Sequence, residues 1–294
     1  MSVPPAAGAA DRPVQHLDAM PGMAAAFARA LAPSRRDEAR LPRHAVQVSG
    51  YRQDPARLAE YSRVCGFTLR DHVPPTWLHV LTFPLHVHVL GDRSSTVRLA
   101  GAVHVSNSMT LHRPVGVQES LDIAVHAQNL RPHRRGALVD LVGTITVAGD
   151  VVWEGVSTYL ASGMSTPGEP EEAERPPWEP LVPHATWRLP GDLGRRYRRV
   201  SHDPNPIHTS RIAAKAFGFA RPIIHGMWTH ARALAALENR LPASYRVHVD
   251  FLKPILLPGP VGFASTAREH AIDATVTSRD GSRPLLRLQV TEAP

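Results

Sequence analysis

The feature that most constrains this chain is an internal echo. Tyr61-Ser-Arg-Val64 returns as Tyr197-Arg-Arg-Val200, an offset of 136. Arg113-Pro114 returns as Lys253-Pro254, an offset of 140. Each pair lies in the same context. A proline-bearing stretch and a segment able to form a helix follow the tyrosine motif, and an alternating strand runs into the basic-residue–proline pair. Both halves then close in period-two alternation: Leu138 to Val147 in the first, Ala274 to Thr277 and Leu286 to Val290 in the second. Alternation at that period marks half-buried antiparallel strands. Each half therefore reads as helix first, strands after. That order suits an α+β design in which a sheet wraps a helix.

Proline density sets the boundaries. Pro167, Pro170, Pro176, Pro177, Pro180, Pro183 and Pro190 lie close together, with Glu169, Glu171, Glu172 and Glu174 among them. A proline ring fixes φ and removes a donor, so neither helix nor sheet runs through such a stretch. The expected division is an N-terminal segment 1–40, a first repeat 41–162, a linker 163–186 and a second repeat 187–294. The N-terminal segment reads as loosely docked, with a possible short helix over Met20–Leu31.

Composition narrows the class. The chain has 294 residues, 43% hydrophobic and 20% charged, which is globular and rich enough for a core. Cys65 stands alone, so no intramolecular disulfide forms, which suits a reducing compartment. No apolar run reaches the roughly 18–20 residues of a bilayer span, and Asp11 and Arg12 interrupt the N-terminus before any signal-like apolar region. A cytoplasmic protein with no membrane insertion is the expectation. The net charge of +7 raises the question of nucleic acid. Against it, the basic residues are arginines except Lys215 and Lys253, they are spread along the chain, and no nucleic-acid-binding motif appears. Two clusters, Arg131–Arg135 and Arg195–Arg199, read either as solvated surface or as a dock for an anionic ligand such as a nucleotide phosphate or phosphopantetheine.

The chemistry concentrates in residues 197–230. Pro204 and Pro206 push Asp203 and Asn205 out of the helical region, which stiffens the turn before any tertiary contact forms. Asn205 suits an N-cap and Pro206 a first helical position, so a short helix starts there with His208 in its first turn and Gly218 as its stop. A carboxylate and an imidazole then face one small space, where they can hold a water and move its protons. The plainer alternative is a capping Asn, a surface Asp and a core His. Downstream, His225-Gly226 opens an Ala/Leu-rich helix. The Gly226 N–H, with the positive end of that helix behind it, suits a carbonyl oxygen that gains charge. The plainer alternative here is a structural cap.

Ser201, Asp203, Asn205, Pro206, Ile207, His208, Ala213, Gly218, Phe219, Ile224, His225, Gly226 and Met227 together resemble the hydratase-2 motif of the MaoC-like (R)-specific enoyl-thioester hydratases and dehydratases. The duplicated chain resembles the actinobacterial double-hotdog (3R)-hydroxyacyl-thioester dehydratases over roughly residues 40–294. The resemblance implies two tandem hotdogs, each a long helix wrapped by a curved antiparallel sheet. It implies a hydro-lyase that interconverts trans-2-enoyl and (R)-3-hydroxyacyl thioesters of CoA or acyl-carrier protein. By this likeness Asp203 and His208 hold the catalytic water and Gly226 binds the thioester carbonyl. Asn205 braces the loop, and His225, Met227 and His202 complete the substrate site. No cofactor and no metal are implied. A thioesterase on the same fold and a non-catalytic acyl-thioester binder are the competing readings.

The family's glycine before the aspartate is His202 here. If the position needs positive φ, histidine carries a cost there, and its ring would reach the pocket rim. At the fixed offset, Asp203 corresponds to Phe67 and His208 to His72, so the first repeat lacks the pair; Asp71-His72 as a second site is the weaker alternative. The first repeat is expected to complete a pseudo-dimer and shape an acyl tunnel, the whole being monomeric or a homodimer. No His-Glu-x-x-His or cysteine cluster suggests a metal.

Overall fold

The computed structural model describes residues 12–23, 38–97, 102–170 and 179–293. Among these residues eleven strands form one sheet: β1 (Val14–Leu17), β2 (Ala45–Arg52), β3 (Val103–Leu111), β4 (Ser120–His133), β5 (Gly136–Val147), β6 (Asp150–Ser162), β7 (Ala185–Leu189), β8 (Tyr245–Phe251), β9 (Gly259–Ala267), β10 (Ala271–Ser278) and β11 (Pro284–Glu292). Their spatial order is β1-β2-β4-β5-β6-β3-β8-β11-β10-β9-β7. Apart from β1, the left and right arms repeat one pattern about the antiparallel β3·β8 pair, which runs from Ser106↔Asp250 to Leu111↔Tyr245. Every other pairing is antiparallel except β1·β2.

Among the described residues, five helices accompany the sheet: α1 (Pro55–Cys65), α2 (Pro75–Leu90), α3 (Leu193–Ser201), α4 (Arg211–Ala216) and α5 (Gly226–Leu237). The long helices α2 and α5 are the rods that the two arms wrap. α2 packs on β2, β4, β5 and β6, and α5 on β10 and β11. α2 is apolar nearly all round, because sheet and partner helix leave it almost no solvent face. This is the double hotdog that the resemblance implied. Among the described residues no helix is long and apolar enough to cross a membrane.

The alternating segments over 138–147, 274–277 and 286–290 are strands β5, β10 and β11, as the pattern required. The order of elements differs from the expectation, since a strand, β2 or β7, precedes the helices in each repeat. β2 buries only Val46 and Val48, and β7 only Leu189, so neither carries a long apolar signal. β7 begins at Ala185, inside the stretch expected as linker. Within the N-terminal segment, Val14–Leu17 pair with Ala45–Val48 and extend the sheet edge, so these four residues are part of the fold. Most of the expected helix over Met20–Leu31 lies outside the described residues.

The sequence echo has a spatial meaning. Tyr61 on α1 and Tyr197 on α3 are buried and lie ring to ring, 6.1 Å between centroids. Trp77 and Trp228 occupy the third position of α2 and α5. The Trp228 indole N–H donates across the repeat boundary to the Val64 carbonyl, 3.0 Å. Arg57 crosses the other way to the Val200 carbonyl, 2.8 Å. One continuous apolar core, including Met109, Val247, Leu81 and Leu234, links the repeats.

Because that core is shared, urea unfolding followed by circular dichroism and by tryptophan fluorescence is expected to give coincident single transitions. Trp228→Ala should lower the unfolding free energy by about 3–5 kcal/mol. Two separated transitions would show that the repeats fold independently.

Candidate active site

Nine residues (66–74) join α1 to α2 in the first repeat, whereas 24 (202–225) join α3 to α5 in the second. The offset is therefore not constant. Phe67 and His72 fall in the short connection, and the first repeat has no counterpart of the loop bearing Asp203 and His208. Asp71 and His72 form an exposed surface pair, 3.0 Å apart.

The long connection folds in steps. α3 ends with His202 in the left-handed region, φ 59°, its N–H donating to the Arg198 carbonyl. The position does require positive φ. The His202 side chain is exposed and does not line the cavity, so its place is a helix cap and not the pocket rim. Asn205 takes the extended ψ that Pro206 demands, and its Oδ1 accepts the Ile207 N–H, 3.3 Å. It too lies off the cavity lining and acts on the backbone. The helix expected from Pro206 is split: a single 3₁₀ turn spans Pro206–His208, and α4 starts afresh after Ser210, whose Oγ accepts the Ala213 N–H. Gly218, φ 83°, follows the α4 C-cap, as a stop should.

The turn holds the two side chains in register. Asp203 Oδ1 accepts the Asn205 N–H, 2.9 Å, which leaves Oδ2 to face the imidazoles. His208 Nδ1 lies 2.9 Å from the Ile223 carbonyl. A carbonyl only accepts, so Nδ1 carries the proton and Nε2 presents a lone pair. Ile223 is itself clamped, bridged to Leu256, with the Ile224 N–H donating to the Ile255 carbonyl. Gly194 lets α3 approach this turn, since a Cβ there would collide with the His208 carbonyl. The sequence reading missed Gly194, because its role is visible only in that approach.

His208 Nε2 and Asp203 Oδ2 stand 4.0 Å apart. Two acceptors at that separation can each receive a hydrogen bond from one water molecule, leaving its oxygen lone pairs free. His225 stacks on His208, ring centroids 3.6 Å and planes 26° apart, and Tyr197 packs against His225 with ring centroids 4.9 Å apart. His225 Nε2 lies 3.8 Å from the same Asp203 oxygen. Burial lowers the pKa of His208, opposed in part by the Asp203 charge, and lowers that of His225 well below the ordinary value. Both rings are neutral at neutral pH.

Asp203, His208 and His225 offer ligand atoms within 4.8 Å of one another, so a metal has to be considered. Ligands on a tetrahedral zinc with bonds of about 2.0–2.1 Å stand roughly 3.4 Å apart. The separations here are wider, and stacked rings direct their in-plane lone pairs side by side and not toward one point. The trio fits a water better than an ion.

These groups open into a cavity of about 390 Å³ whose lining includes Asp203, His208, His225, Gly226 and Met227, together with Tyr159, Ser201 and Phe251. Gly226 is the first residue of α5, where amide N–H groups lack intrahelical partners. A Cβ on it would come within 2.9 Å of the Phe251 ring, so glycine is needed for packing as well as for access to the amide. From the first repeat, Arg135, His79 and His104 also line the cavity. Arg131 is instead held by Asp140, 3.0 Å, and Arg195, Arg198 and Arg199 are exposed.

A family model for the MaoC-like domain matches residues 175–279. The chain is 38% identical over 253 residues to 3-hydroxyacyl-thioester dehydratase X of Mycobacterium tuberculosis, covering 85% of this chain and 90% of that protein.

The chain belongs to the MaoC-like dehydratase family.

The crystal structure of HtdX from M. tuberculosis superposes with a TM-score of 0.76 at 37% identity, over 85% of this chain and all of that one. A double-hotdog protein of M. tuberculosis matches with a TM-score of 0.50 at 13% identity, over 87% of this chain and 96% of that one, and so shares the fold. In this MaoC-like chain the residues of the hydratase-2-like pattern run from Ser201, the last of α3, through the longer connection to Met227 in α5.

Two predictions follow from the local geometry. His202→Gly removes left-handed strain and should raise stability by about 0.5–1 kcal/mol in chemical denaturation. His79, His86, His104, His208, His225 and His230 all have folded-state pKa values below the ordinary 6.5, through burial. The unfolded chain therefore binds more protons. Stability present above pH 6.5 should fall as the pH drops below it, by up to about 1.4 kcal/mol per pH unit for each histidine. A pH titration of the urea midpoint checks this, and a flat midpoint between pH 7 and 5 would contradict it.

Proposed function

We propose that this protein is a hydro-lyase that reversibly hydrates trans-2-enoyl thioesters to (R)-3-hydroxyacyl thioesters. The observation that carries the reading is the 4.0 Å gap between two hydrogen-bond acceptors, Asp203 Oδ2 and His208 Nε2, in a cavity that also exposes the start of α5.

In the hydration direction Asp203 and His208 each take one hydrogen bond from the same water. Its oxygen attacks C3 of the enoyl thioester while His208 Nε2 accepts a proton. The C2–C3 π electrons move to the thioester oxygen, and the Gly226 N–H meets that oxygen with the positive end of α5 behind it. The imidazolium then returns its proton to C2. Dehydration is the reverse sequence. The lowered pKa of His208 supports its role as base, since the ring is unprotonated and ready. Ile223 fixes its tautomer and His225 fixes its plane by stacking. Met227 and Phe251 line the acyl path. Asn205 and His202 hold the backbone and touch no substrate.

The repeats divide the work. Residues 187–294 supply the reacting groups, and 41–162 supply half the cavity wall in place of a second subunit. Substrates are thioesters of CoA or acyl-carrier protein, with Arg135 at the cavity wall available to a phosphate of either. The lone, buried Cys65 suits a cytoplasmic site of action.

Asp203→Asn and His208→Gln should each lower crotonyl-CoA hydration by about 10²–10⁴-fold with the fold intact, read as loss of enoyl-thioester absorbance. The product should be the (R)-3-hydroxy isomer on chiral analysis, with no free CoA released to a thiol reagent. Full activity in both variants would reject the assignment.

A further inference from the structure

A second group of imidazoles, two of which line the same cavity, takes no part in the steps above. His79 and His86 are seven residues apart on α2 and are 3% and 1% exposed. Their rings meet edge to face, 5.5 Å between centroids. His104, from β3, stacks on His79 at 6.0 Å and on Tyr159 at 4.5 Å. His230, one turn into α5 beyond Gly226, is fully buried. Its field reaches both His79 and His104. The four rings thus come from both central helices and from the strand at the junction of the repeats.

Their polar atoms have little to bond. Among the described residues, both ring nitrogens of His86, both of His230 and Nε2 of His104 have no hydrogen-bond partner. No carboxylate contributes to the field at His79, His86, His104 or His230, and burial holds all four neutral, with His79 lowered to about 4 and His230 to about 3. Among the described residues, these rings do not form a group placed to hold a metal ion. A neutral imidazole offers one donor and one acceptor. Leaving such groups buried and unpaired is costly, and a ligand that satisfies them gains what an alkyl ligand does not.

The cluster is continuous with the reaction site. His79 and His104 line the cavity with Asp203 and His208, and His104 lies 4.8 Å from Phe251, the ring packed against Gly226. An acyl chain leaving the reacting carbons along Phe251 meets His104 and then His79. We propose that this imidazole cluster is a subsite for a hydrogen-bonding oxygen, hydroxyl or keto, carried on the acyl chain remote from the thioester. The substrate class is then oxygenated acyl thioesters and not plain alkyl ones. This rests on the dehydratase reading for which end of the ligand enters first.

The test reads binding and turnover separately. Calorimetric Kd values are measured on the full chain for hexanoyl-, octanoyl- and decanoyl-CoA and for their terminally hydroxylated counterparts, none of which carries the enoyl bond. At the length that reaches the cluster, the hydroxylated ligand should bind about tenfold tighter than its alkyl match, the net effect of one satisfied hydrogen bond. His79→Leu and His104→Phe should each cut that preference to within about twofold. Alkyl chains binding as tightly as hydroxylated ones at every length would overturn the proposal, as would a preference undiminished in both variants. Crotonyl-CoA turnover by the same preparations reports on the reaction alone. Turnover without hydroxyl preference sinks the subsite only, and hydroxyl preference without turnover sinks the dehydratase reading only.

Discussion

The antiparallel pairing of β3 with β8 is the contact on which the rest of the molecule depends. It joins two arms into one sheet, and it fixes the distance between the helices those arms wrap. With α2 and α5 held side by side, a cavity forms at their junction whose walls belong to both repeats. Backbone hydrogen bonds along six residue pairs make that geometry insensitive to surface substitution, and the shared apolar core reinforces it. Tyr61 against Tyr197, and Trp228 against the Val64 carbonyl, show the same interlocking away from the sheet.

Within this frame the two repeats have diverged through loop length. The first keeps nine residues between its short and long helices, enough only to turn the chain. The second keeps 24, and the extra length is spent on a rigid turn and a short helix. Prolines 204 and 206 remove helical options from the residues before them. The clamped Ile223 carbonyl decides which nitrogen of His208 is free. The orientation and free nitrogen of an imidazole are thus set by one backbone acceptor and a stacked ring.

Much of this was legible in the chain. The duplication, the strand alternation and the Asp203–His208 turn with His225-Gly226 follow from residues that act locally: prolines fix φ, glycines permit close approach, and alternation reports one buried face. The strands β2 and β7 were not legible, because each is short and buries too few apolar residues. The helix expected from Pro206 broke into a 3₁₀ turn and α4, because Ser210 caps a new start. His202 looked like a rim residue by its place in the motif, yet the cap conformation turns its ring to solvent.

The chain alone determined which residues are stiff, which faces are apolar and which motif is present, since those properties are set by neighbours within a few positions. Only the tertiary structure decided the 4.0 Å separation of Asp203 and His208 and the protonated nitrogen of His208. It alone gathered His79, His86, His104 and His230 between the two repeats, with His79 and His104 at the cavity wall. The turn is held by packing against α3 and the Ile223 strand bridge, and the imidazole cluster by residues far apart in the chain. The energies of these contacts depend on how helices and strands pack, which local preferences do not specify.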